Sequence, residues 1–79
     1  MKVTSIYFGM IAEHRGVSNE DLDLVKGANL FEVKEKAIGL IPVLKDINYS
    51  VAVNQRLESN DIELKEGDEI AFFPPFAGG

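Results

Sequence analysis

The chain has 79 residues, of which 46% are hydrophobic, and a formal net charge of −5. This length fits one domain, and the composition is that of a globular protein. The excess of acidic residues argues against a nucleic-acid partner, because the phosphates would be repelled. Cysteine is absent, which excludes disulfides, thiolate metal sites and a cysteine nucleophile. We therefore expect one small domain without a metal site.

The sequence shows no segment for export or membrane insertion. Residues 1–9 contain one lysine and no long apolar run, and no stretch approaches the ~18 apolar residues of a membrane span. These features predict a cytoplasmic protein. Six acids lie between Glu58 and Glu69, where they permit a basic protein partner, and a solvated acidic face explains them equally well. The single histidine, His14, is predicted to be a solvated loop residue.

The beginning of the chain predicts a hairpin. Residues 3–8 are rich in β-branched and aromatic side chains, which favours a strand. Residues 21–24 alternate between aspartate and leucine, which predicts a second, half-buried strand. Residues 10–19 have glycines near both ends and are interpreted as the loop that joins the two strands. A turn follows at residues 26–28.

A helix is predicted after this hairpin. Asn29 stands at an N-cap position, and Glu32 three residues later completes a pattern like a capping box. Apolar residues at helical spacing then extend the helix over residues 30–39. Pro42 prevents its simple continuation, and residues 41–47 have room for one short turn.

The second half of the chain predicts further strands. Residues 50–53 and 69–73 alternate along each run, so both are predicted to be strands. Between them, a short strand around Leu57 is expected within an irregular connection over residues 56–65. A turn is expected at residues 66–68. The predicted core contains Leu22, Leu24, Leu30, Val33, Ala37, Ile38, Val53, Ile70 and Phe72.

The predicted order of the main elements is ββαββ, with one helix between two hairpin-like halves. An amphipathic helix of this kind buries its apolar stripe against one face of a sheet. We therefore expect an α+β domain over residues 1–73, with a mixed sheet and one main helix packed across it. Residues 74–79 are expected to form a flexible, extended C-terminal tail.

The tail is the most unusual stretch of the sequence. Pro74 and Pro75 lack an N–H group, so they stop a strand ladder and favour an extended path away from the domain. At about 3.1 Å per residue, residues 74–79 can reach on the order of 20 Å. Gly78 and Gly79 have no side chains, so the tip is narrow enough to enter a slot in another protein. The alternative is an ordinary frayed terminus.

The chain offers no self-contained active site. It has no phosphate-binding loop and no set of residues for nucleophilic catalysis. The most unusual group that the chain offers for chemistry is the carboxylate at Gly79. Adenylation would convert this carboxylate to an acyl-adenylate, from which a sulfur donor can displace AMP to form a thiocarboxylate. This chemistry is that of a group carrier whose catalytic residues are supplied by its partners.

Three motifs resemble those of the molybdopterin synthase small-subunit family (the MoaD family). They are Ala-Val-Asn-Gln at residues 52–55, Glu-Gly-Asp-Glu-Ile-Ala-Phe-Phe-Pro-Pro at residues 66–75, and Ala-Gly-Gly at residues 77–79. The resemblance is close over residues 50–79 and looser over residues 3–9. It implies a ubiquitin-like β-grasp fold, in agreement with the predicted order of elements.

The resemblance also implies a role in sulfur transfer. An adenylating enzyme related to ubiquitin activators would use ATP to activate Gly79, which would then become a thiocarboxylate. In complex with the large synthase subunit, Gly79 would donate sulfur to a cyclic pyranopterin precursor during molybdenum cofactor biosynthesis. The chain itself would bind no cofactor and would act as the non-catalytic subunit of a heterotetramer.

The family pattern assigns two further groups of residues. Apolar residues that dock on the partners would be Phe8, Leu57 and Phe73, whose alternative role is ordinary core packing. Residues that thread the tail into the partner's active site would be Pro74, Pro75, Phe76, Ala77 and Gly78.

Two departures from the family pattern keep other functions open. Phe76 stands where the family usually has a smaller aliphatic residue, and residues 29–50 are shorter than in many members. The shorter region leaves room for a general sulfur carrier, or for a ubiquitin-like small protein modifier that is conjugated to lysines through Gly79. A purely structural interaction module is the third alternative.

Overall fold

The structure, a computed structural model, describes residues 1–75. Four of the predicted tail residues, Phe76, Ala77, Gly78 and Gly79, lie outside the described residues. Along the chain the elements are β1 (Lys2–Tyr7), α1 (Gly9–Arg15), β2 (Asn19–Asp23), α2 (Leu30–Leu40), a 3₁₀ helix (Pro42–Asp46), β3 (Ser50–Val53), β4 (Arg56–Leu57) and β5 (Glu69–Phe73).

The five strands form one mixed sheet in the order β2-β1-β5-β3-β4. The central pair, β1 and β5, is parallel, with Thr4 opposite Glu69 and Tyr7 opposite Phe72. The other neighbouring pairs are antiparallel, including the predicted pairing of β1 with β2. The mixed sheet and the short strand at Leu57 are therefore confirmed. The last strand lies in the middle of the sheet, so the predicted tail starts from the end of the central strand.

The helix α2 covers one face of the sheet. Asn29 caps it as predicted, since its side-chain oxygen accepts a hydrogen bond from the Glu32 N–H at 3.2 Å. The helix buries Leu30, Val33 and Ala37. All the predicted core residues are buried except Leu22 and Ile38, which are partly exposed and pack against the core. Ile38 is less buried than Ala37 because neighbouring helix positions are rotated by about 100° around the axis.

The segment predicted as a loop over residues 10–19 contains the helix α1, so that prediction is wrong. Ile11 is fully buried and gives this single helical segment an anchor in the core. Gly16 is in the left-handed region (φ 89°), and its N–H donates to the Ala12 carbonyl at 2.8 Å. This glycine therefore ends the helix as a C-cap residue. His14 is exposed, as predicted, but it lies in the last turn of α1.

One polar cluster ties α1 to the sheet. The Arg15 guanidinium donates to both carboxylate oxygens of Glu20, with Nε–Oε2 and Nη2–Oε1 distances of 2.7 and 2.8 Å. The Tyr7 hydroxyl donates to Oε2 of the same carboxylate at 2.6 Å. Tyr7 is the last residue of β1, Arg15 is the last residue of α1, and Glu20 belongs to β2. These hydrogen bonds therefore hold α1, which connects the two strands, in place.

The cluster shifts the acidities of its members. The hydrogen bonds from Arg15 lower the pKa of Glu20 below its usual value. Burial, followed by the hydrogen bond to the Glu20 carboxylate, raises the pKa of Tyr7 to about 12. At neutral pH, Glu20 is therefore a charged acceptor and Tyr7 a neutral donor, which is the arrangement that the observed hydrogen bonds require.

We expect Glu20→Gln to lower the melting temperature by a few degrees at neutral pH, because the amide cannot replace the charged, bidentate acceptor. Since the folded pKa of Glu20 is lowered, its contribution is complete above the unfolded carboxyl pKa of about 4.3. It is lost as the pH falls through the folded value. Thermal melts recorded by circular dichroism across this range should therefore converge in acid.

The matched control is Glu13→Gln, which changes an exposed acid on α1, the helix that carries Arg15. We expect this variant to melt like the wild type at every pH. A deficit of Glu20→Gln that persists undiminished in acid would show that shape, rather than charge, makes this side chain important.

Candidate functional site

An apolar groove lies on the sheet face opposite α2. Side chains alternate along a strand, so the residues between the buried positions of β1 and β5 point to this other face. The groove has a volume of about 340 Å³. It is lined mainly by the apolar residues Ile6, Phe8, Ala52, Leu57, Ala71 and Phe73. We call this set the apolar groove.

The structure brings the three predicted docking residues together in this groove. Leu57 is 76% exposed and Phe8 is 43% exposed, although both are large apolar side chains. Phe73 is partly buried, and its ring stacks on that of Phe8 with a centroid distance of 4.7 Å and an interplanar angle of 5°. Phe8 therefore lies at the surface and not in the core, and its docking role stays a prediction.

The predicted tail begins at one end of the groove. Pro74 directly follows Phe73, the last residue of β5, and it is partly buried, whereas Pro75 is exposed. The Phe8 N–H donates to the Phe72 carbonyl at 3.2 Å, so the chain next to β5 is held by hydrogen bonding up to this point. A partner that covers the groove would consequently lie beside the root of the tail.

Five further residues line the groove and were not predicted as docking residues from the sequence: Ile6, Ala52, Gln55, Glu69 and Ala71. Ile6 and Ala71 lie two residues from Phe8 and Phe73, so the alternation of the strands was the signal that could have found them. Gln55 and Glu69 also line the groove, but they come from separate parts of the chain. Only the strand register, which is a long-range feature, places these two side chains at the same surface.

Several acids of residues 58–69 accept hydrogen bonds from a turn or from distant parts of the chain. Asp68 accepts hydrogen bonds from the Lys65 N–H at 2.8 Å and from the Asn54 side chain at 2.9 Å. Asp61 accepts from the Phe31 N–H at the start of α2, and Glu66 accepts from the Lys2 N–H. Across residues 1–75, no three histidine or acidic side chains are grouped in a way that could hold a metal ion. Asp61, Glu66 and Asp68 therefore have structural roles.

Within the part of the chain that the structure describes, neither helix has the length and apolarity needed to cross a membrane.

A mixed sheet in this strand order, with a helix across one face and the last strand at its centre, defines a ubiquitin-like β-grasp domain. The small archaeal modifier protein SAMP1 from Haloferax volcanii has the same fold, with a TM-score of 0.85 over 100% of both chains and 22% identity. The ThiS family model matches residues 6–79. The chain therefore belongs to the ThiS family.

Relatives within this group are similar over the full length of the chain. The molybdopterin synthase sulfur carrier subunit of Chlamydomonas reinhardtii is 32% identical over 83 residues, which cover 100% of both chains. A solved complex of subunits 1 and 2 of the molybdopterin-converting factor from Helicobacter pylori contains a chain that is 30% identical. That chain aligns with a TM-score of 0.71 over 100% of both chains. The resemblance drawn from the sequence motifs is thus confirmed.

Proposed function

We propose that this protein is the sulfur-carrier small subunit of a molybdopterin synthase. The observation that carries the proposal is the full-length similarity to the sulfur carrier subunit of Chlamydomonas reinhardtii. In this role Gly79 is the residue that is adenylated, converted to a thiocarboxylate and used to donate sulfur to a cyclic pyranopterin precursor. The protein supplies the carrier group, and its partners supply the catalytic residues and the ATP.

The chemistry requires two partners in succession. An activating enzyme transfers AMP from ATP to the Gly79 carboxylate and releases pyrophosphate. A sulfide-level donor then attacks the acyl carbon, forms the C–S bond and expels AMP, which leaves the thiocarboxylate. On the large subunit, the thiocarboxylate sulfur attacks a carbon of the precursor and displaces an oxygen substituent from it. Water then cleaves the acyl–sulfur bond, which restores the carboxylate and leaves the sulfur on the pterin. No side chain of this protein needs to transfer a proton in these steps.

The apolar groove supports a carrier role. Exposed apolar patches on small proteins generally mark interaction surfaces, and this groove lies beside Pro74, where the proposed tail starts. A partner docked on Phe8, Leu57 and Phe73 would therefore have the tail root at the edge of its interface. We propose that the large subunit and the activating enzyme both dock here.

Intact-protein mass spectrometry tests the carrier chemistry. After incubation with the cognate activating enzyme, ATP and a sulfide donor, the mass should increase by the difference between one sulfur and one oxygen atom. Fragmentation should locate this increase at Gly79. Addition of the large subunit and the pyranopterin precursor should then return the mass to its starting value, with sulfur recovered in the pterin.

Two other results would contradict the proposal. Isopeptide adducts between Gly79 and lysines of other proteins would identify a protein modifier. An unchanged mass with an activating enzyme that is active on its own substrate would favour an interaction module. The choice of readout matters, because ATP consumption alone is common to sulfur transfer and conjugation.

We expect Leu57→Asp to weaken binding to the large subunit and to the activating enzyme by at least about tenfold, which corresponds to ~1.4 kcal/mol. The reason is that a charge would have to be desolvated at the centre of an apolar contact. Because Leu57 is 76% exposed, its replacement should leave the melting temperature nearly unchanged. Isothermal titration calorimetry with each partner measures the effect.

Val25→Asp is the matched control, because Val25 is similarly exposed (73%) and does not line the apolar groove. It should bind both partners with wild-type affinity. Equal affinities for the Leu57→Asp variant and the wild type would place the interface elsewhere on the domain.

A further inference from the structure

Gly9 makes an unusually close approach to the root of the tail. A Cβ atom added to this glycine would lie 3.1 Å from Cγ of Pro74 and 3.8 Å from its Cδ. Carbon atoms in favourable contact are about 3.5–4.0 Å apart, so a side chain at residue 9 would push on the proline ring. Gly9 also has a φ of 55°, which most side chains disfavour.

This approach follows from the pairing of the two central strands. The parallel register aligns Thr4 with Glu69 and ends with Tyr7 opposite Phe72. One residue further along, Phe8 stacks on Phe73, and one more residue places Gly9 against Pro74. The hydrogen-bonded ladder ends here because proline has no N–H, but the side-by-side packing continues for two residues beyond it.

We propose that Gly9 is a positioning residue for the tail. The space left by its missing side chain holds the Pro74 ring, and the stacked Phe8 and Phe73 rings fix the residue just before it. The corner between β1 and α1 thereby sets the position and direction from which the tail starts. This inference rests on the proposed function, since it makes the corner responsible for presenting Gly79 to the active sites of the partners.

A side chain at residue 9 should affect turnover more than it affects binding to the partners. Side-chain bulk at residue 9 should displace Pro74 while leaving Leu57 in place, so a partner can still dock on the apolar groove. If the start of the tail at Pro74 is displaced, the reaction at Gly79 should be slower, because reacting groups must be held within a narrow range of positions. The expected signature is therefore a lower kcat with little change in KM for either partner.

Asparagine substitutions separate steric pressure from backbone strain. Asn tolerates positive φ better than most residues do, so Gly9→Asn adds bulk with little backbone strain. Gly16→Asn is the matched control, because Gly16 also has a positive φ (89°) and a Cβ there would meet nothing within 4 Å. Gly9→Ala is a smaller second variant in case Gly9→Asn does not fold.

We expect Gly9→Asn to lower kcat for thiocarboxylate formation by about tenfold relative to Gly16→Asn. Gly9→Ala should act in the same direction with a smaller effect. In ¹H–¹³C spectra, the Pro74 ring signals should shift in the Gly9 variants and stay in place in Gly16→Asn. The spectra report the position of Pro74 without depending on any activity.

A double-mutant cycle with Pro74→Ala tests the contact itself, because this change removes the Cγ and Cδ atoms that Gly9 faces. In that background, Gly9→Asn should have no further effect on kcat. Additive effects, or equal kcat and unshifted Pro74 signals in the Gly9 and Gly16 variants, would overturn the proposal. A wild-type protein that gains no sulfur would instead overturn the proposed function, and the Pro74 signals would still decide the role of Gly9.

Discussion

Phe72→Ala is expected to remove most of the stability of the domain. The Phe72 side chain is fully buried on the central strand β5, between the rings of Tyr7 and Tyr49 at centroid distances of 5.8 and 5.9 Å. Its truncation should cost about 3–5 kcal/mol through lost burial and the remaining cavity. A chain of this length has a total stability of about 4–12 kcal/mol. Urea unfolding at 25 °C should therefore show a variant that is marginally folded or unfolded.

Phe31→Ala is the matched control, because it removes the same atoms from a ring that is 46% exposed on α2. We expect it to cost less than about 1 kcal/mol. Similar losses for the two variants would mean that Phe72 is not the centre of the core.

Deletion of Gly79 is expected to reduce sulfur transfer to the background rate. The remaining carboxylate, on Gly78, would be withdrawn by about 3.5 Å, the length of one extended residue. Reacting groups must be placed to within much less than this distance, so neither adenylation nor sulfur transfer should proceed at a useful rate. Turnover of the pyranopterin precursor by the reconstituted synthase, with sulfur donor and activating enzyme present, measures the loss.

The same deletion should leave docking intact, because every residue of the apolar groove lies between Ile6 and Phe73 and none belongs to the tail. Affinity for the large subunit should stay within about twofold of the wild-type value, and the melting temperature should not change. The opposite pattern, weak binding with normal turnover of the bound fraction, would make Gly79 a contact residue and not the sulfur carrier.

The sequence predicted the parts of the fold that depend on local patterns. Asn29 and Glu32 mark the start of α2, and alternation identifies β3 and β5 with the observed bounds. The helix α1 was missed because it is only seven residues long and glycines lie at its start and just after its end. Its apolar residues Met10, Ile11 and Ala12 are consecutive, and only Ile11 is fully buried, so the segment shows no helical spacing of apolar residues.

The candidate site was predictable only in part. Phe8, Leu57 and Phe73 came from the family resemblance, and the structure shows that they share one surface. The bond between Arg15 and Glu20, and the contact between Gly9 and Pro74, depend on how the strands are paired. No pattern in the sequence around these residues indicates that they are in contact.

The central parallel pair also has a consequence for synthesis of the protein on the ribosome. β1 is made first, yet one of its two neighbours in the sheet is β5, with Thr4 opposite Glu69. A nascent chain that stops before β5 lacks the middle strand, so its first strand and helices cannot close a core. Completion of the fold is thereby coupled to translation of the segment that leads directly into Pro74. Chains that are truncated before β5 should therefore be unfolded and should be degraded. They would then not bind a partner that they could not supply with the C-terminal group.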